Sequence, residues 1–500
     1  MTKQIAVALA ALAVLIGATV AAERVLAAPD APKVEFTEDI EVNSGTWYCT
    51  PLVRPNETGT LSIGAVGSDP SQVSIERLDA GQSSFEDPVD LDPQAVHEVE
   101  IEGEESVSGY VVRWRGGPVV ANWRVDGREE RLGSRCSSSP APKWLMTGAE
   151  TTIGSSARLY LFNPFDNDAV VTVYFATAEG RIDLVSSENV PVPAHDVVDL
   201  GINELQPEHS DLGVIVSVQA GRVIASGQQR FGQPDLPDVE LEGAEPPVDP
   251  DAPQGRTVLP ATAVASETVG LAYAASGETT TAWASVVNPN SRPVRVSVEP
   301  SDGIEGGGIE DEILIAAESV ERIDLSAVSS APNFGVRLTA DEGLPIAANG
   351  FVALIGERKR VSAMAAVAET DSMNAQVLVA PPETAEVALF NPGTASATAT
   401  VAVGGVVPDA WESIDLAPGA MQLLPFADAG VTERGTIQAS ADQPIYATLR
   451  LASEEQRFDQ FLTLPLTPAN VWQGSANAPP PERDRTLDTR PVDFPAQPDQ

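Results

Sequence analysis

The sequence predicts an all-β protein: four tandem immunoglobulin-like β-sandwich modules behind an N-terminal hydrophobic helix. Three observations predict it. An Asn-Pro pair after a short apolar strand returns at Asn163, Asn288 and Asn391. Each is followed by a strand of period two, with Val171, Val173 and Phe175, then Val294, Val296 and Val298, then Ala399, Val401 and Val403 at its apolar positions. Gly and Pro number 39 and 41 and recur as turn clusters between short Val- and Thr-rich runs, which favours antiparallel strands over helices.

Recurrence at a fixed order of landmarks is the signature of repeat architecture. After the period-two strand come Val198-Asp199-Leu200, Ile323-Asp324-Leu325 and Leu424-Pro425-Phe426, centred 36, 36 and 34 residues past their Asn. A Gly then opens a strand at Gly213, Gly335 and Gly435, and a last strand starts at Val223, Ile346 and Ile445. A divergent first copy precedes these three. Trp47-Tyr48-Cys49-Thr50 matches Trp144-Leu145-Met146-Thr147, Gly109 takes the glycine's place, and Ala65-Val66 stands where Asn-Pro is missing. Units of about 100 residues suit a sandwich with its own core and exceed the blade of a β-propeller, about 40 to 50 residues.

The elements follow in order. Residues 1–28 form a signal peptide or transmembrane anchor: Lys3 precedes an apolar run from Ile5 to Ala22, about 27 Å long as a helix, against a bilayer core of about 30 Å. The run is longer than an ordinary signal-peptide core, which favours an uncleaved anchor, and either outcome exports the body. Module 1 spans 34–137 and module 2 spans 143–232. A Pro-rich acidic linker occupies 233–256, module 3 spans 257–369, module 4 spans 375–470, and 472–500 is a disordered Pro-rich tail.

Composition excludes one class of partner. With 72 acidic and 30 basic residues the net charge is −42, which repels nucleic acid and anionic lipid surfaces. Cys49 and Cys136, the two cysteines of the chain, bracket module 1. In an exported chain they read as a disulfide, whereas a redox or metal pair would show CxxC spacing or nearby histidines.

Catalytic patterns are missing. His97, His195 and His209 form no HExxH or His-Cys cluster, and neither a GxSxG elbow, a GxGxxG nor a P-loop stands in its required setting. The reading is therefore no enzyme, no metal and no cofactor. Paired carboxylates are the residual route to glycan hydrolysis. Glu98, Glu100 and Glu102 alternate with Val99 and Ile101 and share one strand face, where a solvated edge is the simpler account. Asp166-Asn167-Asp168 lacks calcium-loop order and reads as turn chemistry. Asn56-Glu57-Thr58 is a formal glycosylation sequon. Trp114 alternates with Arg113 and Arg115; pointing inward it is core, the favoured reading, and pointing outward it joins Trp123 as a platform for a sugar ring or a partner chain.

The repeated Asn-Pro turn, the Pro-rich spacers, 26 Arg against 4 Lys and the Gly45-Thr46-Trp47-Tyr48-Cys49 opening resemble an uncharacterised family of actinobacterial exported proteins, known as large secreted proteins. The resemblance covers most of residues 1 to 470. It implies an extracytoplasmic envelope protein and supplies no catalytic residues. The expected role is a non-catalytic envelope scaffold or protein-interaction protein, membrane-anchored or secreted, whose partner is an envelope protein. The alternative is binding of cell-wall or capsular polysaccharide, and a carboxylate-based glycan hydrolase comes third.

Overall fold

A computed structural model describes residues 44–126, 131–232, 255–278, 280–301, 312–329, 331–341, 343–354, 360–365, 371–378, 385–432, 434–451 and 462–468. The expected anchor at 1–28, residues 233–254 of the acidic stretch and the 472–500 tail lie outside them. Among the described residues the protein is almost wholly β, and no helix there is long and apolar enough to cross a membrane.

Module 1 comprises β1 (Ser44–Cys49), β2 (Thr58–Ala65), β3 (Ser71–Asp79), β4 (Gln82–Phe85), β5 (Val89–Leu91), β6 (Val96–Glu102), β7 (Gly109–Gly116), β8 (Val119–Asp126) and β9 (Arg131–Arg135). They form two antiparallel sheets, β1-β7-β3-β4 with β5 beside β3, and β6-β2-β8-β9. Alternation turns Val73, Ile75 and Val112 of one sheet toward Leu61, Ile63 and Val125 of the other, giving one buried core. Module 2 repeats the plan with β10 (Lys143–Ala149), β11 (Ser156–Asn163), β12 (Ala169–Thr177), β13 (Gly180–Asp183), β14 (Val190–Val192), β15 (Asp196–Gly201), the single turn α1 (Ile202–Leu205), β16 (Leu212–Ala220), β17 (Ile224–Phe231), β18 (Gly255–Leu259) and β19 (Ala261–Thr262). Its sheets are β13-β12-β16-β10-β19, with β14 on β12, and β15-β11-β17-β18.

Module 3 contains β20 (Thr268–Ala274), β21 (Thr280–Asn288), β22 (Val294–Pro300), β23 (Ile313–Ile315), β24 (Ser319–Asp324), β25 (Phe334–Ala340), β26 (Ala347–Leu354) and β27 (Arg360–Ala365), in sheets β20-β25-β22-β23 and β24-β21-β26-β27. Module 4 contains β28 (Asp371–Leu378), β29 (Ala385–Phe390), β30 (Ala397–Val403), β31 (Ile414–Leu416), β32 (Met421–Pro425), β33 (Gly435–Leu451), β34 (Leu462–Pro465) and β35 (Thr467–Pro468). The long β33 serves both of its sheets, first beside β28 and β30, then beside β29 and β34.

Numbering the seven principal strands within a module, every copy pairs 1-5-3 in one sheet and 4-2-6-7 in the other. An immunoglobulin constant domain instead pairs ABED against CFG. The difference arises at two connections, strand 1 to strand 2 and strand 4 to strand 5, which both cross to the opposite sheet where the immunoglobulin domain keeps A with B and D with E. In module 1 the first of these crossings is the buried stretch Thr50–Val53. Strand β18 pairs with β17 in register, so residues 255–259 are the last strand of module 2 and the acidic stretch connects its sixth and seventh strands. Likewise β28 begins at Asp371, inside the junction expected before module 4.

The recurring Asn is a structural residue. Asn163, Asn288 and Asn391 are all fully buried. Each donates from Nδ2 to the carbonyl four residues on, Asn167, Arg292 and Ala395, at 2.8 Å in every case. Each also reaches the strand ahead of the fourth, through Val192, Ile315 and Leu416. Their Oδ1 atoms accept from the backbone two residues on, at Phe165, Asn290 and Gly393. The Asn side chain thus makes the bonds that hold the exit turn, and Pro fixes φ beside it.

All described residues belong to one unit, Val42–Gln500, and its four modules touch in cyclic order. The seventh strands β9, β18, β27 and β34 meet in turn, with β34 returning to β9. At three of the seams a glycine near the start of strand 5 faces the second strand of the next module. A Cβ on Gly109 would lie 2.1 Å from Phe162, on Gly335 2.7 Å from Phe390, and on Gly213 3.1 Å from Val287. The recurring glycine is therefore a socket. The fourth seam closes module 4 on module 1, where Thr436 Oγ1 donates to Gln94 Oε1 at 2.6 Å.

Candidate functional site

In three modules the chain, after its seventh strand, hooks back onto its own first strand. In module 2 this is β19 on β10 and in module 4 β35 on β28. In module 1 it is the reciprocal pair Tyr48 and Ser137, next to the Cys49–Cys136 disulfide, whose Cα atoms are 4.6 Å apart. The bridge therefore staples a crossing that hydrogen bonds alone hold in the other two modules.

A cavity of about 180 Å³ opens between these crossings, large enough for a few water molecules or one small group. Trp47, Trp123 and Trp144 wall it, with Cys136, Ser138 and Ser226 among the other contacts. Trp47 Nε1 donates to the Val119 carbonyl at 2.7 Å and Trp144 Nε1 to that of Val223 at 2.9 Å, so both indoles are fixed by backbone bonds. Ser226 Oγ is buried with no hydrogen-bond partner among the described residues. Tyr48, also lining the cavity, has its phenol pushed up to about 12 by burial, against the opposing charges of Arg113 and Arg222. Arg135 is the one charged side chain among the described lining residues, with no carboxylate or imidazole beside it there. The cavity thus offers indole surface, hydroxyls and a guanidinium, which suit a small polar-apolar moiety.

The residues singled out in the sequence are spread through modules 1 and 2. Trp114 is 3% exposed and Trp123 2% exposed, both in the core, so neither forms an outward platform. Trp114 explains the opening Gly45: a Cβ there would lie 2.6 Å from its ring. Glu98, Glu100 and Glu102 are exposed along β6, the edge of its sheet, and Arg434 lies 3.7 Å from Glu98. Among the described residues no three acidic, His or Cys side chains converge as a metal site. His195 Nε2 sits 3.0 Å from Asp166 Oδ1, and Asp168 Oδ1 accepts from the Ala194 amide at 2.9 Å, so the Asp166–Asp168 acids serve their own turn. Asn56 is exposed at positive φ in the β1–β2 connection.

Two groups escaped the sequence reading. Arg256, with a fully buried side chain, binds Glu57 across 199 residues at 2.7 Å and ties module 2 to module 1. Asp211, at the module 2–3 seam, takes the Ser285 hydroxyl at 2.8 Å, and burial pushes its carboxyl up to about 7. Neither carries a local signal, because each partner comes from another module.

Among curated proteins nothing matches the chain. A crystal structure of a Salmonella alpha-2-macroglobulin variant aligns with 89% of this chain at 14% identity and a TM-score of 0.12, a likeness too low to carry an argument. The chain spans 31% of that protein's length. Residues 119–284, from β8 into β21, match a family described as a family of unknown function, DUF5719, and it is to this family that the middle of the chain is similar.

Proposed function

We infer that the chain is a non-catalytic extracytoplasmic scaffold or protein-interaction protein of the cell envelope, tethered or released at its N-terminus, in line with the actinobacterial exported proteins its motifs resemble. The observation that carries this reading is the seam-to-seam packing of four modules, each built of two antiparallel sheets. That packing holds a large surface rigid, as a docking platform requires. The disulfide supports an oxidising compartment. Residues 30–500, carrying an affinity tag, should enrich the same envelope protein from solubilised membranes in repeated preparations. Enrichment of nothing beyond a mock column would sink the reading.

Polysaccharide binding is the second reading, and its basis moves from the faces of Trp114 and Trp123 to the Trp-walled cavity. Sedimentation with isolated cell walls should then be lost in Ser138→Phe, which fills that space. Unchanged sedimentation would remove this basis.

A further inference from the structure

The four seams are of two kinds. Between modules 1 and 2, and between 3 and 4, glycine meets phenylalanine: Gly109 with Phe162, Gly335 with Phe390. The other two seams share a Ser–Asn pair across strands 2 and 6, Ser285 with Asn349 and Ser62 with Asn122. All four of these side chains are buried.

In the 2–3 seam this pair meets defined partners on module 2. Ser285 Oγ donates to Asp211, and Asn349 Nδ2 donates to the carbonyls of Thr147 and Pro260, both at 3.0 Å. Arg322, paired in register with Ser285, lowers the energy of the Asp211 carboxylate, and its neighbour Glu321 opposes it by less. Gly213, two residues after Asp211, receives Val287. The strand-5 side is thus a small acidic socket, and the strand-2 side a larger basic plug.

The 4–1 seam reverses both properties. Ile437 pairs with Val403 as Val214 pairs with Phe175, so Thr436 occupies the place of Gly213 and Arg434 that of Asp211. On module 1, Glu98 pairs with Ser62 as Arg322 pairs with Ser285, and Gly64 stands where Val287 stands. Here the strand-5 side is the larger and basic one, and the strand-2 side the smaller and acidic one. Arg434 and Glu98 lie 3.7 Å apart.

We propose that this double reversal makes the two Ser–Asn seams non-interchangeable, so that the half built of modules 1 and 2 accepts as partner only a half of the 3–4 kind, from its own chain or from a second copy. Closing module 2 on module 1 would set Asp211 against Glu98 and Gly213 against Gly64, two acids beside a void. Closing module 4 on module 3 would set Arg434 against Arg322 and Thr436 against Val287, two cations beside a clash. Discrimination of this sort comes from penalising wrong partners as much as from rewarding the right one.

The test uses the whole chain with a protease site inserted within residues 263–267, between β19 and β20. The folded protein is cleaved, unfolded in urea with its disulfide intact, refolded, and examined by native mass spectrometry. The expected product is the 1–2/3–4 complex alone. Homotypic pairs of either half, or halves that fail to pair, would overturn the proposal. The variant Gly64→Val, Glu98→Arg, Arg434→Asp, Thr436→Gly rebuilds the 4–1 seam as a copy of the 2–3 seam. It should yield homotypic pairs as a substantial fraction of the total, and persistence of the heterotypic complex alone would also count against the idea. Should that variant not refold, Glu98→Arg with Arg434→Asp carries the charge reversal alone. Its homotypic fraction should rise as salt is lowered from 0.5 M to about 0.05 M, following the lengthening screening distance, and a salt-independent zero would overturn the proposal.

Discussion

Asn391 donates to the carbonyls of Ala395, Leu416 and Ala417 from a fully buried position, so removing its amide strands acceptors that water cannot reach. Asn391→Ala is expected to cost about 2–3 kcal/mol, measured by urea unfolding, whereas Pro392→Ala should cost about 1 kcal/mol or less, since it changes mainly chain entropy. Equal costs would return the turn to proline. The Asn-Pro pair was visible in the sequence, but the division of labour was not, because one set of acceptors lies 25 or 26 residues downstream. Asp211 gives a pH signature. Its folded carboxyl titrates at about 7 and an unfolded one at about 3.9, so between those values the folded state holds more protons and stability falls as pH rises. Asp211→Asn should remove that fall. Its melting temperature should match wild type near pH 4 and exceed it progressively up to pH 8, and parallel profiles would contradict the assignment.

At the scale of elements, the strand-5 glycines act through what faces them. Gly335→Val should lose about 1–3 kcal/mol by overpacking against Phe390, and adding Phe390→Ala should recover part of that loss in a double-mutant cycle. Additive losses would mean that the two residues do not share the seam. The period-two strands and the order of landmarks were legible because alternation and turn chemistry are local. The socket was legible as a recurring glycine but without its purpose. In module 4 the register slips: Gly435 precedes the socket position, which Thr436 fills. Strand order was hidden as well, since which sheet receives strand 2 depends on a crossing with no periodicity of its own. Trp114 followed its alternation with Arg113 and Arg115 inward, one of the two placements that its spacing allows.

Across the whole molecule, the disulfide closes a separation of 87 residues, for which the chain-entropy model gives about 4.5 kcal/mol. Cys136→Ser should lower stability by about 2–5 kcal/mol, with hydrogen-exchange protection lost first in β1 and β9. Uniform loss in all four modules would show that the seams couple the ring more tightly than the crossing does. The cavity had no sequence signature, as its walls come from segments as distant as Trp47 and Pro468. The cyclic order also has a history in time. A chain made from its N-terminus presents each Phe-bearing face only after the glycine that receives it already exists. Module 1's outer face is the exception: Gln94 waits 342 residues for Thr436. That face carries Ser62, Glu98 and Asn122 where module 2 carries Tyr160, Asp199 and Ser226 and brings Phe162 beside them. The surface left longest in water during synthesis is thus one that water wets, and the nascent chain is guarded against sticking until its last module arrives.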